Sequence, residues 1–569
     1  MRLVDSRRLR GPNLQTHEPA AVAEVLLDAG ERPSAAIRAW REALAWLAGE
    51  LGWASYARNA VARPFPGGVA FALPAPIDGL LTATEVNEAA IRIATATLGI
   101  NVPELDEGAP TLEELRVRIA EERSPRLVAL HEEAQRRGIA FLWDDDSVTL
   151  GMARRSVTFP SGELPDPSTL EWSALGSIPV ALVTGTNGKT TTARLLARMA
   201  KLAGRVAGNT STDGIAIDER LVEEGDWTGA EAARLVLRRP DVELAILETA
   251  RGGILRRGLA IEACDAALIT NVTSDHLGEF GVCDVATMAR AKAVVGTIVR
   301  PDGRVVLNGD DPLLAAMTGA FRAKVVLFGL AAGSEALRAH RARGGEIFTV
   351  RDGVFLRSSD EGERTLGTVA DAPLTFGGAA RYNVANCLAA AAVAWSLGLP
   401  DAAVVEALHT FGRTLGDNPG RGEIVRARSG AQVILDFGHN PAGMRELLRL
   451  AATRVGPGGL VASVHTQPGD RTQADAEALA IEIAAASPRL VVLWESEHYR
   501  RGREVGDIAL SLRTALVAAG VADDAIAVAE SEVAALDRAL VGTGPGDVVV
   551  VAPHIDRESV AASSLLGDS

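Results

Sequence analysis

The 569-residue chain carries a formal net charge of −15, with 47% hydrophobic and 23% charged residues. At roughly 150 residues per domain, this length predicts roughly three or four domains, and the acidic balance argues against a nucleic-acid surface. The three cysteines lack pair spacing, so neither a disulfide framework nor a zinc site is indicated. The N-terminus lacks the apolar core of a signal peptide, and no run of about 18 apolar residues offers a membrane span. We therefore expect a soluble, cytoplasmic protein.

The first part of the chain predicts an α+β domain. Apolar spacing indicates helices at 35–51 and 84–98, and two charged amphipathic helices within 111–138 that break near Ser124. IAFLWDDDSVTLG then predicts a hairpin, and its three aspartates are interpreted as a turn rather than a metal site. The early arginines are interpreted as a solvated face rather than an anion site: Arg2, Arg7, Arg8 and Arg10.

A phosphate-binding loop is predicted in IPVALVTGTNGKTTTARLLARM, residues 178–199. A strand that turns through glycines into a helix N-terminus aims backbone N–H groups at a polyphosphate. Lys189 is expected to reach the outer phosphates and Thr190 to hold magnesium. Val183 stands at the first glycine of the strict G-x-x-x-x-G-K-[ST] pattern, and a structural glycine turn is the alternative. The predicted nucleotide-binding residues are Gly185, Thr186, Asn187, Gly188, Lys189, Thr190 and Thr191.

Beyond a linker at 159–177 that is rich in Pro, Gly and Ser, short apolar runs alternate with helical segments. This alternation predicts a mostly parallel, doubly wound α/β sheet, with a domain boundary near residue 170. A second, smaller doubly wound sheet is predicted from near residue 418, facing the first across a cleft. Ligands of such sheets gather at the carboxyl ends of the strands.

Polar side chains end the predicted strands of the first sheet. Glu248 ends the strand ELAILE, where a carboxylate can bind magnesium directly or through water. Asn271, Asp275 and His276 follow the next strand, and a metal or phosphate role is favoured for His276 over a structural one. For Asn308, in RVVLNGDDP, the residues alone favour an Asx turn and helix cap over a nucleotide contact.

Later segments add further polar groups. Asn383 and Asn386 lie on one face at the start of an alanine-rich helix, where amides can read an adenine edge. In the last domain, the polar residues that precede or follow predicted strands are Arg421, Asp436, His439, Asn440, Asp470 and Arg471.

The motifs TGTNGKTTT, LETARGGILRRGL, NVTSDHLG, LNGDDP, NPGR, DFGHNPAG and PGDR occur in the order seen in Mur ligases, which form amide bonds with ATP. GNTSTDGIAID and ETARGGILRRG are most similar to the Mur-like half of cyanophycin synthetases, a resemblance that covers about residues 178–569. RRLRGPN and AQRRGIAFLWDDDSVTLGMARR resemble other parts of those enzymes. Their ATP-grasp domain has no counterpart here, because the chain passes almost at once from Arg155 to the Mur-like part. The aspartate-adding step of that domain is therefore expected to be absent.

The resemblance implies a Mur ligase fold with an N-terminal α+β domain at 1–170, a central ATP-binding domain at 171–416 and a C-terminal domain at 417–569. It implies ATP and Mg²⁺ as cofactors and an acyl-phosphate mechanism. Thr190 and Glu248 would hold the first magnesium, and His276 would contribute to the second. Lys292 matches a lysine that is carbamylated in several Mur ligases, and the resemblance leaves that modification open here. The catalytic residues implied are Lys189, Glu248, His276 and Lys292.

The resemblance also implies contacts beyond the phosphate loop. Tyr382 stands where Mur ligases often have a histidine, a departure that concerns the adenine contact. The implied nucleotide contacts are Asn308, Asn383, Arg421 and Asp436, the last two brought in by domain closure. The residues implied near the amino acid or acyl phosphate are His439, Asn440, Asp470 and Arg471.

The predicted function is an ATP-dependent ligase that joins an amino acid, arginine or another, to an aspartyl or related acidic carboxylate. The alternatives are a ligase of preformed dipeptides, a glutamate-adding ligase, and a non-catalytic nucleotide-binding partner of a separate ATP-grasp protein. The N-terminal arginines offer basic guides for an acidic product, without deciding between substrates. Small-molecule substrates are the expected partners, and an assembly of two or four chains is consistent with the resemblance.

Overall fold

The computed structural model describes residues 1–100, 102, 108–275, 277–469, 471–555, 560, 563, 565 and 566. The chain divides into two compact units. The first comprises Met1–Thr349, Arg357–Arg364 and Leu388–Val404, and the second Val350–Leu356, Thr365–Cys387 and Val405–Ser569. Within the described ranges, no helix combines the length and the apolar character that crossing a membrane requires.

The strands are β1 (Arg2–Leu9), β2 (Ala20–Leu26), β3 (Val61–Phe65), β4 (Gly68–Pro74), β5 (Phe141–Trp143), β6 (Ser147–Met152), β7 (Arg155–Pro160), β8 (Val180–Thr184), β9 (Ala207–Ser211), β10 (Gly214–Ile217), β11 (Arg220–Glu224), β12 (Leu244–Glu248), β13 (Cys264–Ile269), β14 (Val299–Asn308), β15 (Lys324–Gly329), β16 (Glu346–Arg351), β17 (Val354–Ser359), β18 (Gly362–Thr368), β19 (Glu423–Arg426), β20 (Gln432–Leu435), β21 (Val461–His465), β22 (Leu490–Leu493), β23 (Ile526–Val528) and β24 (Val548–Val551).

The α-helices are α1 (Pro33–Glu50), α2 (Ala54–Arg58), α3 (Leu80–Thr97), α4 (Leu112–Glu122), α5 (Pro125–Arg137), α6 (Lys189–Leu202), α7 (Ala230–Leu237), α8 (Arg251–Arg257), α9 (Val285–Thr297), α10 (Pro312–Ala315), α11 (Glu335–Ala342), α12 (Arg381–Ser396), α13 (Asp401–Thr410), α14 (Pro441–Arg454), α15 (Gln473–Ala485), α16 (Asp507–Ala518) and α17 (Glu532–Leu540).

The N-terminal part of the first unit is an antiparallel sheet of order β1-β2-β4-β3, with α1 and α3 packed on it. Trp40 of α1 is fully buried against Phe71 of β4, with the ring centroids 4.7 Å apart. The indole N–H of Trp40 donates to Asn87, whose amide in turn donates to the Phe71 carbonyl. The α+β character and both helices predicted in this region are confirmed.

The next segment also follows the sequence-based expectation. α4 ends at Glu122 and α5 starts at Pro125, so the predicted break near Ser124 is confirmed. β5 and β6 pair as an antiparallel hairpin whose turn contains Asp144, and β7 adds a third strand. Asp144 accepts hydrogen bonds from Ser147 and Arg238, which makes it a structural turn residue.

The interpretation of the early arginines as a solvated face is wrong for Arg7 and Arg10. The Arg7 side chain is only 9% exposed and pairs with Glu24 at 2.8 Å. Arg10 pairs with Asp145 at 2.5 Å. Local sequence does not reveal these partners, because Glu24 lies on β2 and Asp145 lies in the turn between β5 and β6.

The central sheet has the order β11-β10-β9-β12-β8-β13-β14-β15-β16-β17-β18 among the described residues. From β9 to β16 the neighbouring strands are parallel, while β10 and β11 form an antiparallel edge. Every residue of β8 is buried, as expected for a strand covered on both faces. The chain leaves β8 for β9 on one side and later reaches β13 on the other. The end of β8 is therefore a topological switch point, where open α/β sheets bind ligands.

The second unit contains a smaller sheet of order β19-β20-β24-β21-β22-β23. All neighbouring strands in it are parallel except β19, which runs antiparallel to β20. Helices α14, α15 and α16 supply one apolar layer and α17 supplies the other. The predicted second doubly wound sheet is confirmed, and its carboxyl edge lies after β20, β24, β21 and β22.

Candidate active site

The phosphate loop between β8 and α6 requires its glycines. Gly185 has φ +147°, and a Cβ atom there would lie 1.8 Å from the Thr270 hydroxyl oxygen. Gly188, just before α6, has φ +86°, in the left-handed region that side chains disfavour. The loop therefore packs too tightly against the end of β13 for any larger residue at position 185.

The end of β13 braces the phosphate loop through Asn271. Its backbone carbonyl accepts the Thr186 N–H at 2.9 Å, and its side-chain oxygen accepts the Asn187 N–H at 2.9 Å. Its amide nitrogen donates to the Asn187 carbonyl at 3.0 Å. Sequence reasoning placed Asn271 at a strand end, but this brace depends on the pairing of β8 with β13.

Lys189, Thr190 and Glu248 come together at the start of α6. The Thr190 hydroxyl donates to Glu248 Oε2 at 2.8 Å, and Lys189 Nζ lies 3.9 Å from Glu248 Oε1. Lys189 Nζ also donates to the Thr186 carbonyl at 3.1 Å. A buried carboxylate and a hydroxyl are the hard oxygen ligands that magnesium prefers, so this pair fits the metal role predicted for it.

Thr212 is a neighbour of this group that sequence reasoning missed. Its hydroxyl oxygen lies 3.2 Å from that of Thr190, and it follows β9. The motif GNTSTDGIAID, used only as a sign of resemblance, ends a strand beside the phosphate loop. Strand-end position was the signal that would have identified this second hydroxyl.

Lys292 reaches the phosphate loop from α9. Its Nζ donates to the Gly185 carbonyl at 2.8 Å, and the residue is only 4% exposed. Burial lowers the pKa of Lys292 to about 7; the positive charge of Lys189 acts in the same direction, and Asp275 opposes it. A substantial fraction of this amine is therefore neutral near pH 7, the form that reacts with carbon dioxide.

Asn308 ends β14 next to the same region. Its amide donates to the Thr270 carbonyl at 2.9 Å, and its side-chain oxygen accepts the Asp310 N–H at 2.9 Å. Asp311 caps α10 by accepting the N–H groups of Leu313 and Leu314. The predicted Asx turn and helix cap are thus present, and Asn308 supports the strand end that holds the phosphate loop.

In the second unit, Asp436 follows β20 at the carboxyl edge of the sheet. Burial raises the pKa of Asp436 to about 6, although Arg421 and hydrogen bonds from the backbone of Gly438 and Gly422 oppose that shift. The Arg421 guanidinium lies 4.4 Å from the centroid of the Phe437 ring. A buried carboxylate with a cation beside it is suited to bind polar hydroxyl and phosphate groups.

Polar groups converge around Gly422, which has φ +74°. A Cβ atom there would lie 2.9 Å from the Tyr382 hydroxyl, 3.7 Å from Asn383 Nδ2 and 3.8 Å from Asp436 Oδ2. We call these four residues the Gly422 cradle. The Tyr382 hydroxyl is buried and has no hydrogen-bond partner in the described part of the chain. The Asn383 amide donates to the Leu374 carbonyl, and its oxygen accepts from Asn386.

The other predicted substrate residues lie on the same unit. Asn440 caps α14 by accepting the Gly443 N–H at 2.9 Å, and His439 donates through Nδ1–H to the Phe437 carbonyl. Arg471 is buried, and the Arg503 guanidinium donates to its carbonyl at 2.8 Å.

Two predicted site residues, His276 and Asp470, lie outside the described residues. Glu495, which follows β22, accepts the N–H groups of Gly506 and Ala509 at the start of α16. Among the residues the structure describes, no group of three or more His, Cys, Asp and Glu side chains has the arrangement of a metal site.

Two family models match this chain. The Mur ligase middle domain matches residues 183–394, which include the phosphate loop, Glu248 and Lys292. The Mur ligase glutamate ligase domain matches residues 420–555, which include Asp436 and Arg471. The chain belongs to the Mur ligase family. Residues 1–182, including the N-terminal sheet, lie before both matches.

Relatives of known name agree with this membership. The chain is 38% identical over 391 residues to cyanophycin synthetase of Synechocystis sp., an alignment that covers 66% of this chain and 42% of that protein. It is 34% identical over 236 residues to UDP-N-acetylmuramoylalanine–D-glutamate ligase of Methylococcus capsulatus, covering 41% of this chain and 42% of the other. The chain thus spans less than half the length of these Mur ligase relatives.

A solved structure shows the shared fold. Mycobacterium tuberculosis folylpolyglutamate synthase complexed with ADP aligns over 69% of this chain and 91% of its own, with a TM-score of 0.50 and 20% identity. The predicted fold, with a central phosphate-loop sheet and a smaller C-terminal α/β sheet, is confirmed.

Proposed function

We propose that this chain is an ATP-dependent ligase that activates a carboxylate as an acyl phosphate and joins it to the amino group of an amino acid. The observation that carries the proposal is the group of Lys189, Thr190 and Glu248 at the switch point of a Mur ligase sheet. This group combines a cation for phosphate oxygens with two oxygen ligands for a metal.

In the proposed reaction, these residues stabilise the negative charge on the phosphoryl group that is transferred. A carboxylate is a poor electrophile, so its oxygen attacks the γ-phosphorus of ATP, ADP leaves, and an acyl phosphate forms. Lys189 and the backbone N–H groups of the phosphate loop neutralise charge on the transferring phosphoryl group. Thr190 and Glu248 would hold Mg²⁺, which supplies further neutralisation when bound. An unprotonated amine then attacks the acyl carbon, and inorganic phosphate leaves with the bonding electrons.

The remaining predicted residues extend this proposal. Lys292, with its neutral amine beside the phosphate loop, would bear a carbamate that supports a second metal together with His276. The proposed nucleotide contacts are Asn308, Asn383, Arg421 and Asp436, and the proposed amino acid or acyl-phosphate contacts are His439, Asn440, Asp470 and Arg471.

The proposed acceptor is an aspartyl or related acidic carboxylate, and the proposed amine is arginine or another amino acid. Similarity to cyanophycin synthetase supports this class. The N-terminal arginines give no support as substrate guides, because Arg7 and Arg10 are paired within the first unit.

The test is phosphate release from ATP by the purified chain with magnesium. Aspartate, β-aspartyl peptides, glutamate and short polyaspartate serve as acceptors, each combined with individual amino acids. A product one amide bond heavier, seen by mass spectrometry for one pair, would establish the ligase and name both substrates. Failure of every pair while ADP still binds would contradict these substrates and favour a non-catalytic nucleotide-binding partner.

A further inference from the structure

The loop between β13 and α9 connects two groups that hold the phosphate loop. Asn271 and Thr273, at the start of this loop, hydrogen-bond to Thr186 and Asn187. Lys292, after it, donates to the Gly185 carbonyl. The backbone conformation of residues 277–282 therefore affects the positions of Asn271, Thr273 and Lys292, which hold the phosphate loop.

This loop has an unfavourable backbone. Phe280 has φ +53°, a left-handed conformation that is uncommon for a bulky side chain and costs on the order of 1 kcal/mol or more. Its own hydrogen bonds are few: the Gly278 N–H donates to Val282 at 2.8 Å and the Val282 N–H donates to Glu279 at 3.0 Å. Such a conformation persists only where the surroundings hold it.

The N-terminal sheet contributes to that support, together with α8, whose Arg251 pairs with Glu279 and whose Arg256 guanidinium lies 5.5 Å from the Phe280 ring centroid. Arg63 of β3 donates through Nη1 to the Gly281 carbonyl at 2.8 Å and through Nη2 to the Phe280 carbonyl at 3.1 Å. The Arg7 guanidinium of β1 lies 4.6 Å from the centroid of the Phe280 ring. A Cβ atom on Gly281 would lie 2.7 Å from the Phe65 ring, so the loop packs directly on β3.

The same sheet is also joined to α8, which follows the Glu248 strand. The Arg10 N–H donates to the Arg257 carbonyl, and the Leu259 N–H donates to the Pro12 carbonyl, both at 2.9 Å. Arg7 Nε donates to the Leu255 carbonyl at 2.8 Å. The motif RRLRGPN had no function assigned from the sequence. In the structure it contacts α8 and the loop at 277–282, the segments that follow β12 and β13 at the phosphate site.

We propose that Arg63 and Arg7 are positioning residues for the phosphate site, acting through the loop at 277–282. The proposal rests on the ATP-dependent function above. It assigns the N-terminal sheet a role in organising catalysis, in addition to any contribution to stability. Arg63 matters most, because its planar guanidinium donates to two successive carbonyls of the loop.

The first experiment compares Arg63→Ala with Arg58→Ala, an exposed arginine at the end of α2 in the same part of the chain. Amide exchange of Gly278 and Val282 is measured without substrates. Loss of two charge-assisted hydrogen bonds is expected to speed exchange in the loop about tenfold or more in Arg63→Ala. Exchange in α1 and α3 should be unchanged, and Arg58→Ala should match the wild type.

The second experiment measures ADP binding and the magnesium dependence of phosphate release in the same variants. For Arg63→Ala, measured at a temperature where the variant is fully folded, we expect weaker ADP binding and a higher magnesium requirement. Arg63→Lys should recover only part of the loss, because a compact ammonium group lacks the planar fork of donors that a guanidinium presents. If Arg63→Ala does not fold, Phe280→Leu keeps an apolar side chain but removes the ring that Arg7 and Arg256 contact, and a smaller shift in the same direction is expected.

Unchanged loop exchange in Arg63→Ala would overturn the proposal. So would faster exchange combined with wild-type ADP binding and magnesium requirement, because the loop would then be structural only. If the wild-type chain releases no phosphate with any substrate pair, the ligase proposal fails, while the exchange and ADP-binding measurements still decide the positioning role.

Discussion

The phosphate loop of the first unit and the Gly422 cradle of the second differ in how their polar groups are satisfied. In the phosphate loop, Lys189 and Thr190 hydrogen-bond to neighbouring groups of the same unit. In the cradle, the Tyr382 hydroxyl is buried without a partner among the described residues, and burial raises the pKa of Asp436 to about 6. Lys189 and Thr190 are therefore already paired before any ligand binds, whereas the cradle buries a hydroxyl and a carboxylate at a cost that a ligand would offset.

The largest loss of activity is expected for a variant in the phosphate loop. Lys189→Ala should lower ATP-dependent phosphate release by at least about 10²–10³-fold, because it removes a cation aimed at the transferring phosphoryl group. Lys201→Ala, at the other end of α6 and 41% exposed, is the matched control and should retain activity. Unchanged turnover of the Lys189 variant, with circular dichroism showing an intact fold, would remove this site assignment.

A smaller loss is expected for Lys292→Met. It removes the hydrogen bond to the Gly185 carbonyl and the amine available for a carbamate, and should cost about 10–100-fold in activity. With labelled bicarbonate, the wild type should show a carbamate carbon signal by NMR that strengthens as the pH rises through about 7, where the amine becomes neutral. Absence of that signal at every pH would contradict the carbamate but leave the hydrogen-bonding role.

The lowered pKa of Lys292 also predicts how the free energy of unfolding depends on pH. Its folded pKa is about 7 against an ordinary value of 10.5, so between these values the unfolded chain binds the extra proton. The free energy of unfolding of the wild type, relative to Lys292→Met, should therefore rise as the pH increases through this window. Urea titrations of both proteins measure the difference, and a flat difference would show that the pKa is not shifted.

Asp436 should show the opposite pH dependence. Its folded pKa is about 6 against 3.8 in the unfolded chain, so between these values the folded state binds the extra proton. The free energy of unfolding relative to Asp436→Asn should fall as the pH rises through the window, by about 3 kcal/mol in total. Glu497→Gln, at a carboxylate that is 90% exposed, is the control and should show no such slope. A rise instead would mean that Asp436 is stabilised as an anion.

The smallest effect is expected for Tyr382→Phe. Removing a buried hydroxyl without a partner should leave the free energy of unfolding unchanged or raise it by up to about 1 kcal/mol. If the hydroxyl contacts the nucleotide, ADP affinity measured by calorimetry should fall by a few-fold at the same time. A clear loss of stability would show that the hydroxyl is already satisfied, and the contrast between the two regions would disappear.

Much of the fold could be predicted from local sequence patterns. Strand, glycine loop and helix are contiguous at 178–199, and the turn at Asp144 is a local feature, so both were predicted correctly. The proximity of Thr190 and Glu248 followed from a general rule, since parallel strands end at one edge of a sheet.

Other features depended on contacts between residues far apart in the chain. Asn271 as a brace, Thr212 as a second hydroxyl and the pairing of Arg7 were not predicted, because each needs the strand order or a partner on another element. The same holds for the loop at 277–282, whose backbone is held by Arg63 from the N-terminal sheet. The sequence by itself determined which chemistry the strand ends carry, because backbone propensity and apolar periodicity are local. Only the tertiary structure decided which of those groups are already paired, because hydrogen bonds and burial depend on neighbours brought together by folding.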